Sequence, residues 1–459
     1  MELRPYQCEA VAFLGESGFG LYADPPGTGK TPTTLQLLRD TEAGHILLVA
    51  PKTMLPHWER QAGFWYPELE VVVGTGTPKR RADARERVGR LAGGNTPAAL
   101  LVNYEVVRSD WAHLKGFPTI VCDEAHRLKN RSSQTFKAMC KIVKPEQALF
   151  LLTGTPFING AHEVWALLHL LDPRRYRSFW SWAEENFDIT ETTYGGKVWR
   201  PVRKVGEIRP GRAAALRDEL ADYMIRRPLA ALIDLPPVTE TLIPVTLTPR
   251  ERKLYDSVVK HSWGEKDGKL IVTVNEVSKT TRLRQLASEW GGLVDTEGLG
   301  SKADTAVNLV ADLAPEQVVI LTAYKATAYA LSDALSALQI DVAVYTGDQD
   351  ADERTEALRA FQAGTVRVIV GTLATMSEGV DGLQIARHLI MLDRDWTPAR
   401  NEQAIARLAR SGQENPVIVY HLYAENTVDQ MVAEACSRKQ AVIDTVMGSS
   451  VHDILIGAI

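Results

Sequence analysis

Two series of short apolar, often β-branched runs, each run followed by a helical pattern, constrain this chain more than any other feature. In the first half they are His45 to Ala50, Ala99 to Val102, Thr119 to Cys122 and Ala148 to Leu152. In the second half they are Gln317 to Thr322, Val342 to Tyr345, Val366 to Val370, His388 to Leu392 and Val417 to Leu422. Such runs read as buried parallel strands, and their alternation with helices predicts doubly wound α/β lobes. Two series predict two lobes of similar plan, and 459 residues suffice for each to bury its own core.

Between the series, residues from about 157 to 235 read as helical and irregular. They hold an aromatic cluster (Phe179, Trp180, Trp182, Phe187) and then a basic stretch. Leu235-Pro236-Pro237 is the clearest boundary, because adjacent prolines resist both helix and central strand. The expected division is a first lobe over 1–156, an insertion and linker over 157–235, and a second lobe over 236–459.

Composition narrows the class. Hydrophobic residues make up 45% and charged residues 24%, and no low-complexity tract interrupts them, as in folded globular chains. The start, Met1 to Tyr6, has no basic region leading into an apolar core, and no run approaches the roughly 18 apolar residues of a membrane span. The expectation is an intracellular protein without a membrane partner, cytoplasmic in a bacterial or viral host, with the nucleus left open. Cys8, Cys122, Cys140 and Cys436 are scattered without paired spacing, so neither a disulfide framework nor a zinc site is expected. A formal charge of -5 argues against indiscriminate polyanion binding. Two local basic tracks remain: Lys79 to Arg90, and Lys197 to Arg212, the latter opposed by Glu207 alone. A solvated surface is the plainer reading of each.

The chemistry begins at Asp24-Pro25-Pro26-Gly27-Thr28-Gly29-Lys30-Thr31, just before a helical pattern. Small residues let backbone amides wrap phosphates, a lysine reaches the β and γ oxygens, and a hydroxyl can hold magnesium. Gly27, Thr28, Gly29, Lys30 and Thr31 fit those needs, although Asp24 stands where the general pattern has glycine. Thr119 to Asp123 then forms an apolar strand delivering Asp123 and Glu124 to its carboxyl end. One carboxylate suits magnesium and the next can polarise a water. Alone, such a pair is more often a helix cap; paired with the loop, the nucleotide reading prevails.

Asp123-Glu124-Ala125-His126-Arg127-Leu128-Lys129-Asn130 resembles the Asp-Glu-Ala-His box of Swi/Snf-type motors, within helicase superfamily two. Leu3-Arg4-Pro5-Tyr6-Gln7 resembles that family's opening motif, which implies that Gln7 reads adenine. Asp24 is also the residue with which the family's phosphate loop begins. Leu152 to Asn159 resembles the motif coupling hydrolysis to lobe movement. Arg226-Arg227-Pro228 and Leu235-Pro236-Pro237 resemble the segment before the second lobe. Trp396-Thr397-Pro398 and Gln403 to Gln413 resemble the Trp-Asn-Pro and Gln-Ala-x-x-Arg-x-x-Arg-x-Gly-Gln signatures. The resemblance implies two tandem RecA-like doubly wound α/β lobes with a helical insertion on the first. ATP and Mg2+ would be the cofactors. Glu124, Gln403, Arg407 and Arg410 would be catalytic, with the two arginines expected on one helix face as arginine fingers. Gly379 and Asp381 would join the nucleotide site, with Asp381 where the family has asparagine. The loop Pro25 to Thr31 also resembles that of ring-forming AAA ATPases, which leaves the second half unexplained.

Family likeness further implies a DNA track of phosphate contacts at strand ends. Candidates are Lys52, Thr53, Asn103, Tyr104, Thr322, Thr372 and Trp396, with Arg200, Arg203 and Lys204 in the second basic stretch. The region around Trp199 is similar to that of the compact fork-remodelling, strand-annealing branch. The expectation is an ATP-driven motor acting as a single chain on double-stranded or forked DNA, remodelling it without processive unwinding. A strand-separating helicase and a non-cycling ATP-dependent clamp are the alternatives.

Overall fold

A computed structural model describes residues 2–192, 202–232, 235–261, 263–266, 269–272, 276–288, 299–377 and 380–447. The chain divides into two compact units: Met1–Ile233 with Ala441–Ile459, and Asp234–Gln440.

Unit 1 is built on strands β1 (Phe19–Tyr22), β2 (His45–Val49), β3 (Glu70–Val73), β4 (Ala98–Val102), β5 (Thr119–Asp123) and β6 (Ala148–Leu152). Beyond them come the antiparallel hairpin β7 (Phe187–Thr192) and β8 (Val202–Ile208), and the two-residue β9 (Met224–Ile225). Strands β1 to β6 and β9 form one parallel sheet in the order β3-β4-β2-β5-β6-β1-β9. Apolar clusters cover both of its faces, as an all-parallel sheet requires. Strands β1, β3 and β9 leave no clear pattern in the sequence. The first contains a glycine and spans four residues, and the other two lie at the sheet's edges.

The 157–235 stretch is less irregular than expected. It carries the helices Trp165–Leu171, Phe179–Asn186 and Arg212–Ala221, together with β7, β8 and β9. Phe179, Trp182 and Phe187 are buried in the unit 1 core, so the aromatic cluster is packing surface. Pairing of β9 with β1 draws the end of this stretch into the main sheet.

Unit 2 holds β10 (Val238–Val245), the hairpin β11 (Trp263–Lys266) and β12 (Lys269–Val272), then β13 (Val318–Thr322), β14 (Val342–Tyr345), β15 (Val368–Thr372), β16 (His388–Met391) and β17 (Val417–Ala424). Its parallel sheet runs β10-β17-β16-β13-β15-β14. Clusters again cover both faces. The edge strand β10 was unforeseen, because Thr239, Glu240 and Thr241 are exposed and Pro244 interrupts its pattern.

A buried ionic centre ties the carboxyl ends of these strands together. The Lys302 ammonium lies 3.2 Å from Asp393 and 2.8 Å from Asp429, with its side chain fully inside. Asp393 also accepts from the Ser288 and Thr322 hydroxyls, both at 2.8 Å, and from the Ala323 amide at 2.9 Å. Burial alone would raise the Asp393 carboxyl; Lys302 and these donors outweigh it and hold the group below its ordinary value. A depressed carboxyl stabilises the fold above its unfolded pKa, and that contribution is lost as pH falls toward the folded value. Unit 2 should therefore weaken below the ordinary carboxylate range. Lys302→Ala strands two carboxylates, and removing one partner of a buried pair costs about 3–5 kcal/mol. Urea melts of both proteins at neutral pH check this: an unchanged midpoint would remove the centre from the account.

Candidate active site

Strands β5, β6 and β1 are neighbours in the sheet, and the three loops with candidate chemistry leave their carboxyl ends. That is where open α/β sheets place their ligands. After β1 the chain turns through Asp24 to Gly29 into the helix Lys30–Asp40. Gly27 and Gly29 take φ of 83° and 79°, a region that side-chain-bearing residues avoid. A Cβ on Gly29 would also fall 2.4 Å from the Gln7 amide nitrogen. The loop braces itself: the Thr28 hydroxyl donates to the Pro25 carbonyl at 2.9 Å. The Lys30 ammonium donates to the carbonyls of Asp24 and Pro25 at 2.8 and 3.0 Å. Thr31 lies in the first turn of the helix.

Gln7 is buried against this loop. Its amide donates to the carbonyls of Thr28 (3.1 Å) and Gly29 (3.4 Å), and its carbonyl accepts from the Arg4 amide at 2.8 Å. Tyr6 adds a hydroxyl bond to the Thr28 carbonyl at 3.0 Å. The opening motif and the phosphate loop thus form one assembly.

At the end of β5, Asp123 is held on several sides. It accepts from the Trp58 indole at 2.8 Å and from the Glu124 amide at 2.9 Å, while Tyr104 donates to its carbonyl at 2.6 Å. Burial first, then Glu124, pushes its carboxyl well above the ordinary range, against Trp58 and Lys30. Glu124 adopts φ 49° and ψ 49°, a left-handed conformation costing a non-glycine residue about 1–3 kcal/mol. From it the carboxylate meets His126 Nδ1 at 3.1 Å. The same nitrogen lies 3.2 Å from the Thr153 hydroxyl, which accepts from the Thr155 amide at 3.1 Å. Gly154 approaches the phosphate loop so closely that a Cβ there would lie 2.9 Å from Pro26 Cδ. The Thr153 turn thus adjoins the phosphate loop through Gly154 and the acid pair through His126.

In unit 2 the helix Pro398–Ile405 buries Gln403 and ends before the arginines. The expectation that Arg407 and Arg410 share a helix face is corrected here. Amides of Arg407 and Leu408 bond three residues back, to Ala404 and Ile405. The tightening buries Leu408 and Ala409 in the core. Arg407 donates to the Ser377 carbonyl at 3.0 and 2.8 Å, and Arg410 pairs with Asp381 at 2.6 Å. Asp381 in the asparagine position thus serves as an ionic partner. Gly379 lies outside the described residues.

The DNA candidates divide. Lys52 and Thr53 are exposed on a short turn after β2, and Lys204 is exposed on β8. Asn103 instead caps a helix, accepting from the Val106 amide, and Tyr104 is taken up by Asp123. Thr322 is fully buried on Asp393, and Thr372 is buried against the Thr375 hydroxyl. Trp396 is half-buried, its carbonyl accepting from Lys439 at 2.8 Å. Arg203 is engaged by Glu184 and by Glu191 at 3.2 Å, and lies 4.3 Å from the Trp180 ring. Arg200 lies outside the described residues. In the first basic track Arg81 and Arg85 both pair with Asp110, while Lys79, Arg80, Arg87 and Arg90 are exposed.

Three site residues carried no assigned role in the sequence reading. Trp58 lies on the buried face of an amphipathic helix that also carries Trp65, the ordinary signal of a core residue. Arg227 and Lys302 give no local signal of their partners, since Asp24, Asp393 and Asp429 are distant in sequence.

Fold and site define a helicase-like P-loop ATPase with two RecA-like lobes. Residues 6–289 match the SNF2-related domain and residues 301–412 the helicase conserved C-terminal domain; the chain belongs to the SNF2-related family. It is 28% identical over 96% of its length to the ISWI chromatin-remodeling complex ATPase CHR17 of Arabidopsis thaliana, covering 42% of that protein. It is 26% identical over 92% of its length to the nuclear protein STH1/NPS1 of Saccharomyces cerevisiae, covering 32%. A solved structure, the Sulfolobus solfataricus SWI2/SNF2 ATPase core in complex with dsDNA, aligns over 100% of this chain and 97% of that one at 22% identity and a TM-score of 0.42. The chain spans well under half the length of the curated relatives it matches. Among the described residues no helix is long and apolar enough to cross a membrane.

Proposed function

We propose that the chain is an ATP- and magnesium-driven motor that translocates on double-stranded or forked DNA and remodels DNA or protein–DNA complexes without processive unwinding. The observation that carries this reading is the continuous contact from phosphate loop to Glu124, His126 and Thr153. It gives the site a direct route from the hydrolytic centre to the motif expected to drive movement.

In this reading Lys30 supplies positive charge to the β and γ phosphates, and the Gly27 to Gly29 amides cradle them. The Thr31 hydroxyl and Asp123 are oxygen donors suited to magnesium, which ordinarily completes its octahedron with phosphate oxygens and water. The raised Asp123 carboxyl fits a group whose charge is meant to be balanced by a cation. Magnesium would neutralise charge on the transferring phosphate; Glu124 would polarise the attacking water, oriented by His126. Gln403, Arg407 and Arg410 would complete the site from the second lobe. Lys52, Thr53 and Lys204 are the exposed candidates for phosphate contacts along DNA, and the relatives' chromatin-remodelling names favour duplex as the track.

Phosphate release with no nucleic acid, single strand, duplex, fork and RNA checks the substrate class. Duplex should stimulate most. A rate indifferent to all five conditions would contradict the motor reading, and a larger response to single strands would favour the helicase alternative.

A further inference from the structure

Asp24 opens the phosphate loop as a carboxylate with no solvent exposure. Such a charge beside an anion-binding loop is unfavourable unless it is paired, because burial removes water's screening. Arg227, which follows β9, supplies the pairing. One guanidinium nitrogen lies 2.6 Å from Asp24 Oδ2 and another 3.4 Å from Oδ1, while the Arg227 backbone amide donates to Oδ1 at 2.9 Å. The remaining nitrogen donates to the Tyr6 carbonyl at 2.7 Å and meets Glu9 at 2.8 Å. Arg227 therefore holds the loop at two points, directly at Asp24 and through Tyr6, whose hydroxyl bonds the Thr28 carbonyl. The Asp24 carbonyl, in turn, receives the Lys30 ammonium. Pairing of β9 with β1 brings Arg227 into place, with the Ala23 amide donating to the Ile225 carbonyl at 2.9 Å.

Resting on the nucleotide site proposed above, we propose that Arg227 is a positioning residue for nucleotide binding: it neutralises Asp24 so that the loop can accept a polyphosphate, and it locks Tyr6 and Gln7 against that loop. The arrangement is asymmetric. Removing Arg227 leaves a buried negative charge against the phosphates. Removing the charge of Asp24 leaves a cation that phosphates tolerate.

The test compares Arg227→Met, Arg227→Lys, Asp24→Asn and the double variant Asp24→Asn/Arg227→Met. Each is measured for affinity toward fluorescent Mg-ADP, for KM and kcat with ATP and duplex, and for thermal unfolding without nucleotide. Arg227→Met should weaken ADP affinity and raise KM by about tenfold or more, since it leaves a buried charge unpaired. Its kcat should stay within about threefold, because no transition-state contact is lost. Asp24→Asn should bind more tightly than Arg227→Met, and adding it to Arg227→Met should recover most of the lost affinity. A double variant no tighter than Arg227→Met, or Arg227→Met binding like the parent, would overturn the proposal. Should Arg227→Met not fold, Arg227→Lys, which keeps the charge but loses the fork, takes its place in the same comparison and should show a smaller loss in the same direction. Parent protein that does not bind ADP would defeat the nucleotide reading itself, a separate outcome.

Discussion

Glu124→Gln should bind ATP within about threefold of the parent and hydrolyse it about 10²- to 10⁴-fold more slowly, the usual contribution of a positioned general base. Lys30→Ala should lose both, because in the proposed site its ammonium would serve the phosphates in the ground state as well as in the transition state. The geometry supports this division. Glu124 is held in a left-handed conformation with its carboxylate against His126. Lys30 is bonded to the loop's own carbonyls at Asp24 and Pro25 and, on the proposed reading, would exchange them for phosphate oxygens. Titration with a fluorescent ATP analogue and multiple-turnover phosphate release on both variants separate the two roles. Equal losses of ATP affinity would show that the two residues do one job together.

Arg407→Ala and Arg410→Ala should each slow duplex-stimulated turnover by about 10³-fold or more, as removal of an arginine finger does, while ATP affinity changes little. Their resting contacts are with the Ser377 carbonyl and with Asp381, so a finger role requires each guanidinium to leave its partner as the site is completed. The two residues differ in what they give up. Arg410 breaks a charge pair with a half-exposed carboxylate, and Arg407 breaks its bonds to the Ser377 carbonyl. Asp381→Asn should therefore leave turnover near the parent level or raise it. Near-normal turnover in either alanine variant would mean that the arginine concerned is structural.

Much of this was legible in the sequence because parallel sheets bury both faces, and their central strands stand out as apolar runs. That logic found β2, β4, β5 and β6, and in unit 2 β13 to β17. It failed at β1, where four residues and a glycine give too little pattern, and at the edge strands β3, β9 and β10. The phosphate loop and acid pair were legible because their chemistry is local in sequence. Trp58, Arg227 and Lys302 were not, since each acts through a partner brought near only by folding. The helix expected across Arg407 and Arg410 shows the opposite error. The i and i+3 spacing of the two arginines suits a helix, but after Ile405 the chain tightens into turns, with Leu408 and Ala409 buried, which spacing alone does not reveal.

Triplex displacement, run beside forked-duplex unwinding on one preparation, tests the central claim most directly. A motor that grips phosphates alternately can step along duplex with backbone contacts alone, whereas separating strands costs about 1.4 kcal/mol per base-pair step in lost stacking. The account predicts ATP-dependent displacement of a third strand, absent in Glu124→Gln, with little unwinding of the fork. Robust unwinding with no triplex displacement would contradict it.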